Sequence, residues 1–255
     1  MTSESLSNLL NETRTFPPTP EFAKQANAKI EMYDEAERDR LAFWEKQASF
    51  LHWHKKWDQV LDWKPPFAKW FVGGRLNACY NALDRHVLEG RGNRVAFYFE
   101  GEPGDTKTFT YAELLTLVKK AANALTSIGI KDGDRVAIYM PMIPEAVIAM
   151  LACARIGATH SVVFGGFSAD SLFARIQDAE AKLVITADGG FRKGNPLGLK
   201  SIVDDALKNV TPVEKVLVVK RTGQEIPMGS RDIWWHDLVE KQSPEHEAQN
   251  FDSEH

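Results

Sequence analysis

The sequence predicts an α/β protein with a doubly wound, mostly parallel sheet and flanking helices, preceded by a helical, tryptophan-rich N-terminal extension. Short apolar, β-rich runs alternate with helical patterns from residue 135 onward, as buried strands of parallel sheets do. Five of the seven tryptophans lie between Trp44 and Trp70. Hydrophobic residues make up 44% of the 255 positions, which is sufficient for a buried core.

Composition excludes several classes of partner. The chain has 31 basic and 35 acidic residues and a net charge of −4, so we expect no nucleic-acid partner, because phosphate-backbone binding requires a basic face. No apolar run approaches the roughly 20 residues of a membrane span, and the N-terminus does not resemble a secretion signal. Cys79 and Cys153 are the only cysteines, which fits a reducing compartment. These features predict a cytoplasmic protein without a membrane partner.

The N-terminal part is divided into a disordered arm, 1–19, and a helical extension, 20–92. Apolar residues in the extension recur every three or four positions, which is typical of amphipathic helices. They are Phe22, Ala23, Ala26, Ile30 and Tyr33 in a first helix, then Leu41, Phe43, Trp44, Ala48 and Leu51 in a second.

Residues 55–75 are predicted to form an irregular, aromatic-rich strap over another surface. Pro65 and Pro66 cannot continue a helix, because proline lacks an N–H donor and restricts its predecessor. The tryptophans here are interpreted as packing anchors, with stacking on a ligand as the alternative. A helix is then predicted from Asn77 to Glu89.

The α/β lobe is predicted to span 93–241, followed by a polar tail, 242–255, without an element of its own. Its elements are, in order, strand 94–100, strand 108–110, helix 111–128, strand 135–140, helix 144–156, strand 161–164, helix 168–179, strand 183–186, helix 199–209 and strand 216–219. Thr110 and Glu113 have the spacing of a capping box at the start of the first of these helices.

Two loops could bind a ligand, because ligands of parallel sheets bind where strands lead into helices. In the first, Gly165 and Gly166 would let a ligand approach the backbone closely, although a tight structural turn is the alternative. The second loop, 188–196, places Arg192 and Lys193 among glycines. Arginine binds phosphate oxygens bidentately and lysine adds charge, so the two loops together favour an anionic nucleotide over a merely solvated basic loop.

Other expected signatures are missing from the sequence. It has no P-loop, dinucleotide-binding or nucleophile-elbow motif. His52 and His54 lack companions for a metal site, and no nucleophile–base pair can be assigned. We therefore predict neither a metal site nor a catalytic residue within these 255 positions.

Several long motifs carry a family resemblance that covers roughly residues 20–255. They are Trp57-Asp-Gln-Val-Leu61, Trp70-Phe-Val-Gly-Gly-Arg-Leu-Asn-Ala-Cys-Tyr-Asn81, Thr110-Tyr-Ala-Glu-Leu114, Gly133-Asp-Arg-Val-Ala-Ile-Tyr-Met-Pro-Met142 and Val163-Phe-Gly-Gly-Phe-Ser168. This run resembles the start of acetyl-CoA synthetases, AMP-forming ligases of the adenylate-forming superfamily. The resemblance implies a partial N-terminal lobe of the adenylate-forming fold. It also implies the family's reaction, in which acetate, ATP with Mg²⁺ and coenzyme A are substrates and no tightly bound cofactor is needed.

The resemblance also assigns a coenzyme A site to the two loops. The implied contacts are Phe164, Gly165 and Gly166 beside the adenine, and Arg192, Lys193, Gly194 and Asn195 near the 3′-phosphate. The family typically shows Arg-x-Gly-Arg in the second loop. Asn195 stands in place of its second arginine, and we expect Lys193 to supply charge instead.

Family members are more than twice this length, and their ATP-phosphate loop, acetate pocket and catalytic lysine lie downstream of the matched region. We therefore expect an N-terminal fragment that is inactive alone. A non-catalytic, truncated paralogue that binds a nucleotide or partner is an alternative, as is a fragment of a ligase for propionate or another short acid. A sheet without its neighbouring strands would expose apolar surface, so self-association is also expected.

Overall fold

The computed structural model describes residues 14–209 and 211–255. Most of the arm predicted over 1–19 lies outside these residues. The chain divides into two compact units, Met1–Phe50 and Leu51–His255. No helix of the described residues is long and apolar enough to cross a membrane.

Among residues 14–50, the first unit contains three helices where the apolar spacing predicts two, because residues 25–29 interrupt the first predicted helix. They are α1 (Pro20–Lys24), α2 (Ile30–Arg38) and α3 (Arg40–Ala48). Asp39 separates α2 from α3, and its Oδ1 accepts a hydrogen bond from the backbone N–H of Ala42 at 3.0 Å, capping α3. An ion pair of 2.8 Å between Lys46 and Glu35 joins the two helices.

The second unit begins with an aromatic β-hairpin of β1 (Gln59–Lys64) and β2 (Phe67–Val72). The prediction of an irregular strap over 55–75 is therefore wrong. Pro65 and Pro66 form the two-residue turn, where neither is required to donate a ladder hydrogen bond. The rings of Trp53, Trp57 and Phe71 lie 4.8–5.4 Å apart, so these two tryptophans pack against neighbouring rings.

The polar tail returns to this hairpin region. β3 (Arg75–Leu76) pairs antiparallel with β13 (Phe251–Asp252), so the prediction of no element in the tail is wrong. This pairing joins residues about 175 positions apart, so no local sequence pattern predicts it. Between β3 and the lobe, the predicted helix is present with π-helical turns at Tyr80–Asp84 and Val87–Arg91, interrupted at Gly90 by its φ of +81°.

The lobe opens with an antiparallel hairpin of β4 (Val95–Glu100) and β5 (Thr106–Thr110), followed by α4 (Tyr111–Ser127). The predicted capping box is confirmed. The hydroxyl of Thr110 accepts a hydrogen bond from the N–H of Glu113 at 3.3 Å, and the Glu113 carboxylate accepts one from the N–H of Thr110 at 2.9 Å.

The remaining elements form the central layers. They are β6 (Arg135–Met140), α5 (Pro144–Ile156), β7 (Thr159–Phe164), α6 (Ala169–Ala179), β8 (Leu183–Ala187), β9 (Gly189–Arg192), β10 (Asn195–Gly198), α7 (Lys200–Ala206), β11 (Lys215–Val219), β12 (Asp232–Trp234) and α8 (Trp235–Val239). Five strands make a wholly parallel sheet in the order β12-β11-β8-β6-β7. Helix α7 ends earlier than the predicted residue 209.

The order of the strands makes this sheet doubly wound, as predicted. The chain moves from β6 outward to β7 and then crosses back over β6 to β8. Because crossovers are right-handed, this reversal places α5 and α6 on opposite faces. Accordingly, α4 packs against α5 and α8, while α6 packs against α7.

β7 forms one edge of the sheet and exposes apolar side chains. Val162 is 58% and Phe164 65% exposed, whereas Val163 between them is buried. An open apolar edge is therefore present, and association through it stays a prediction.

Candidate functional site

A cleft of about 570 Å³ lies at the carboxyl ends of the parallel strands. The connection from β6 leads to β7 on one side and the connection from β8 leads to β11 on the other, which makes this edge the switch point at which doubly wound folds bind ligands. Its walls are the ends of β4 and β6, the turn after β7 and the residues that follow β8 and β11.

The turn after β7 is held by a buried tyrosine. The Tyr139 hydroxyl donates a hydrogen bond to the carbonyl of Phe167 at 2.8 Å, with that of Gly165 at 3.3 Å. Burial raises the pKa of Tyr139, so the phenol stays protonated and remains a donor. Sequence patterns do not distinguish Tyr139 from a core residue, because a tyrosine inside an apolar strand is typical of core packing.

Close contacts explain the two glycines of this turn. A Cβ on Gly165 would lie 3.2 Å from the Met140 carbonyl oxygen, and one on Gly166 would lie 2.6 Å from the Phe164 ring. Neither glycine has a positive φ. Space, rather than backbone conformation, therefore favours glycine here, and the exposed Phe164 ring lies directly beside the backbone of Gly166.

The second predicted loop, 188–196, is instead mostly a β-hairpin, so the prediction of a loop over these residues is wrong. β9 and β10 pair antiparallel, with Arg192 opposite Asn195. Lys193 and Gly194 form the tip with φ values of +52° and +77°, as a type I′ turn requires. The glycines of β9 have little strand propensity, so sequence patterns do not predict this hairpin.

The structure brings part of the predicted site together. A Cβ on Gly166 would lie 3.3 Å from Nη1 of Arg192, so the arginine reaches the glycine turn. Phe164, Gly165, Gly166 and Arg192 all line the cleft. The remaining three residues, Lys193, Gly194 and Asn195, are exposed at the end of the hairpin and outside the cleft lining. The Asn195 side-chain amide donates to the carbonyl of Lys193 at 3.2 Å.

A buried aspartate organises the floor of the cleft. Asp188 follows β8 directly, is fully buried, and accepts hydrogen bonds of 2.7–2.9 Å from the backbone N–H groups of Gly189, Arg221, Thr222 and Gly223. Its carboxylate thereby joins the segment that follows β8 to the segment that follows β11. An acidic residue after a buried strand was the available signal, but three of its four partners lie more than 30 positions away.

Arg221 links the floor to the β4–β5 hairpin. Its guanidinium donates two hydrogen bonds, of 2.6 and 2.8 Å, to the carboxylate of Asp105. It also lies over the rings of Phe99 and Phe191, at 5.6 and 5.3 Å from their centres. The hydrogen bonds from Arg221 lower the pKa of Asp105, so the pair stays charged.

Glu102, in the β4–β5 turn, completes these links. Its Oε1 accepts a hydrogen bond of 2.5 Å from the N–H of Gly194 at the hairpin tip. Sequence patterns could not find this contact, because the two residues are 92 positions apart. Among residues 14–209 and 211–255, no three metal-ligating side chains are grouped so as to hold a metal ion.

Comparison with known proteins defines the class. Residues 83–251 match the sequence profile of AMP-binding enzymes, and residues 30–82 match that of the acetyl-coenzyme A synthetase N-terminus. The chain belongs to the family of AMP-binding enzymes.

Within that family, the chain is similar to several acetyl-coenzyme A synthetases. Those of Streptomyces avermitilis and Mycobacterium bovis are each 60% identical to this chain, and that of Deinococcus radiodurans is 52% identical. The alignments cover 100%, 94% and 99% of this chain, but 39%, 38% and 40% of the respective relatives. The chain thus spans about two fifths of the length of these relatives.

Proposed function

We propose that this chain supplies the coenzyme A-binding cleft of an AMP-forming acetate–CoA ligase. The whole ligase would convert acetate, ATP and coenzyme A into acetyl-CoA, AMP and pyrophosphate. The observation that carries the proposal is the convergence of the Gly165–Gly166 turn and Arg192 on one cleft at the switch point. The identity to acetyl-coenzyme A synthetases supports it independently.

Each part of the cleft suits a different part of coenzyme A. The exposed Phe164 ring and the adjacent glycine backbone offer a flat surface to the adenine. Arg192 can donate a pair of hydrogen bonds to a phosphate. Lys193 adds positive charge at the hairpin tip, whereas Asn195 is neutral and already bonded within the turn.

We expect Arg192→Ala to raise the Kd for coenzyme A about tenfold or more, because a charge-assisted hydrogen bond contributes about 1.5–3 kcal/mol. Calorimetric titration of the 255-residue chain measures this. Lys208→Ala is the matched control, since Lys208 is an exposed cation paired with Asp205 near the end of α7. Unchanged affinity in Arg192→Ala would contradict the phosphate contact. Failure of the unaltered chain to bind coenzyme A would favour a non-catalytic partner-binding role instead.

We expect the 255-residue polypeptide by itself to show no ligase turnover. It has no glycine-rich P-loop motif to grip ATP phosphates, and it spans about two fifths of its relatives' length. The measurement is AMP release with Mg²⁺, ATP, coenzyme A and either acetate or propionate, with the Streptomyces avermitilis relative as the positive control. AMP release at a rate comparable to the relative's would contradict this expectation, and turnover with propionate alone would favour the ligase for another short acid.

A further inference from the structure

We propose that Glu102 is a positioning residue for the proposed coenzyme A site: its carboxylate fixes the tip of the β9–β10 hairpin and so holds Arg192 at the glycine turn. The inference rests on the proposed function for its ligand, but the contact that carries it lies within the chain itself. Glu102 accepts the hydrogen bond from the N–H of Gly194 and lines the same cleft as Arg192.

The hairpin itself is a weak structure. β9 and β10 have four residues each and pair only with each other, and isolated two-stranded hairpins are marginally stable. Pro196 in β10 has no N–H to donate, which weakens the ladder further. An external contact at the tip is therefore needed to hold Arg192 in one place.

Two contacts that involve the β4–β5 hairpin meet this need. Within β9, the ring of Phe191 lies under Arg221, which is itself fixed by both oxygens of Asp105. At the tip, Glu102 holds the N–H of Gly194. A Cβ on Gly101, which directly precedes Glu102, would collide with the carboxylate of Asp105 and the guanidinium of Arg221, so this close packing favours glycine.

The charge of Glu102 makes its role separable by mutation. A carboxylate beside Arg192 and Lys193 repels a phosphate, so removing it should tighten binding if charge were its only effect. Loss of the hydrogen bond to Gly194 should instead weaken binding. Glutamine keeps an acceptor oxygen without the charge, whereas alanine removes both.

The test titrates Glu102→Ala and Glu102→Gln with coenzyme A and with dephospho-coenzyme A, which lacks the 3′-phosphate. For Glu102→Ala we expect coenzyme A to bind about fivefold to tenfold more weakly, with dephospho-coenzyme A changing less than about twofold. For Glu102→Gln we expect coenzyme A affinity equal to or higher than that of the unaltered chain. Glu100→Ala is the control, because it removes another carboxylate from the same cleft.

Amide exchange at Gly194, measured by NMR, tests the anchoring without a ligand. We expect protection to be lost in Glu102→Ala and retained in Glu102→Gln and Glu100→Ala. Equal protection in all variants, or coenzyme A binding in Glu102→Ala as tight as in Glu102→Gln, would overturn the inference. If Arg192→Ala binds coenzyme A normally, the proposed phosphate contact fails, and the Gly194 exchange still decides the anchoring.

Discussion

Asp188→Asn is expected to destabilise the Leu51–His255 unit by about 3–5 kcal/mol. The fully buried carboxylate satisfies four backbone N–H groups with its two oxygens. An asparagine has one acceptor oxygen, and its NH₂ group would face either the N–H donors of Thr222 and Gly223 or those of Gly189, Arg221 and Thr222. Each buried donor left unpaired costs about 1–3 kcal/mol.

Urea unfolding followed by far-UV circular dichroism measures this loss. The control is Asp178→Asn on the exposed surface of α6, for which we expect a change below about 0.5 kcal/mol. A change in Asp188→Asn as small as that in Asp178→Asn would show that the four N–H groups find other partners. Such a result would also contradict the role of Asp188 in organising the floor of the cleft.

The core of the fold was predictable because its patterns are local. The parallel strands β6 and β8 are nearly continuous apolar runs, and every residue of Val136–Met140 and Leu183–Ala187 is buried. The capping box of Thr110 and Glu113 depends on residues three positions apart and was found from spacing alone. Within these elements, propensity and burial favour the same conformation.

Features formed by distant residues were not predictable in the same way. The two prolines of the first hairpin suggest a break in structure, yet strand pairing on either side makes them a turn. β3 pairs with β13, which lies close to the other end of the chain. Neither pairing leaves a periodic signal, because each is decided by where the rest of the unit brings the strands.

The candidate site shows the same division. The glycine turn and Arg192 could be proposed from residue types, and they do line one cleft. Sequence reasoning did not find the residues that hold them, which are Tyr139, Asp188 and the pair Asp105–Arg221. The members of that pair, for example, are 116 positions apart. Residue chemistry indicates ligand contacts, whereas supporting contacts depend on the fold.

The second large effect is expected at Arg155, which is fully buried on α5. Its guanidinium donates to both carboxylate oxygens of Asp84 at 2.7 and 2.9 Å, to the carbonyl of His246 at 2.6 Å and to the Cys79 sulfur at 3.6 Å. It also donates to Nδ1 of His246 at 3.3 Å. Burial, and then the Arg155 charge, lower the pKa of His246, which favours the neutral ring that can accept this bond.

Arg155→Met is expected to cost about 3–5 kcal/mol of unfolding free energy, because it leaves the Asp84 carboxylate buried without its cation. The double variant Arg155→Met, Asp84→Leu should recover part of this loss, since no unpaired charge then remains. Arg135→Met breaks the more exposed ion pair with Glu180 and should change stability by less than about 1 kcal/mol. Urea unfolding of the three variants compares them directly. If the double variant were no more stable than Arg155→Met, the cost would lie in lost packing and in the contacts to the tail, and the buried charge pair would not be its cause.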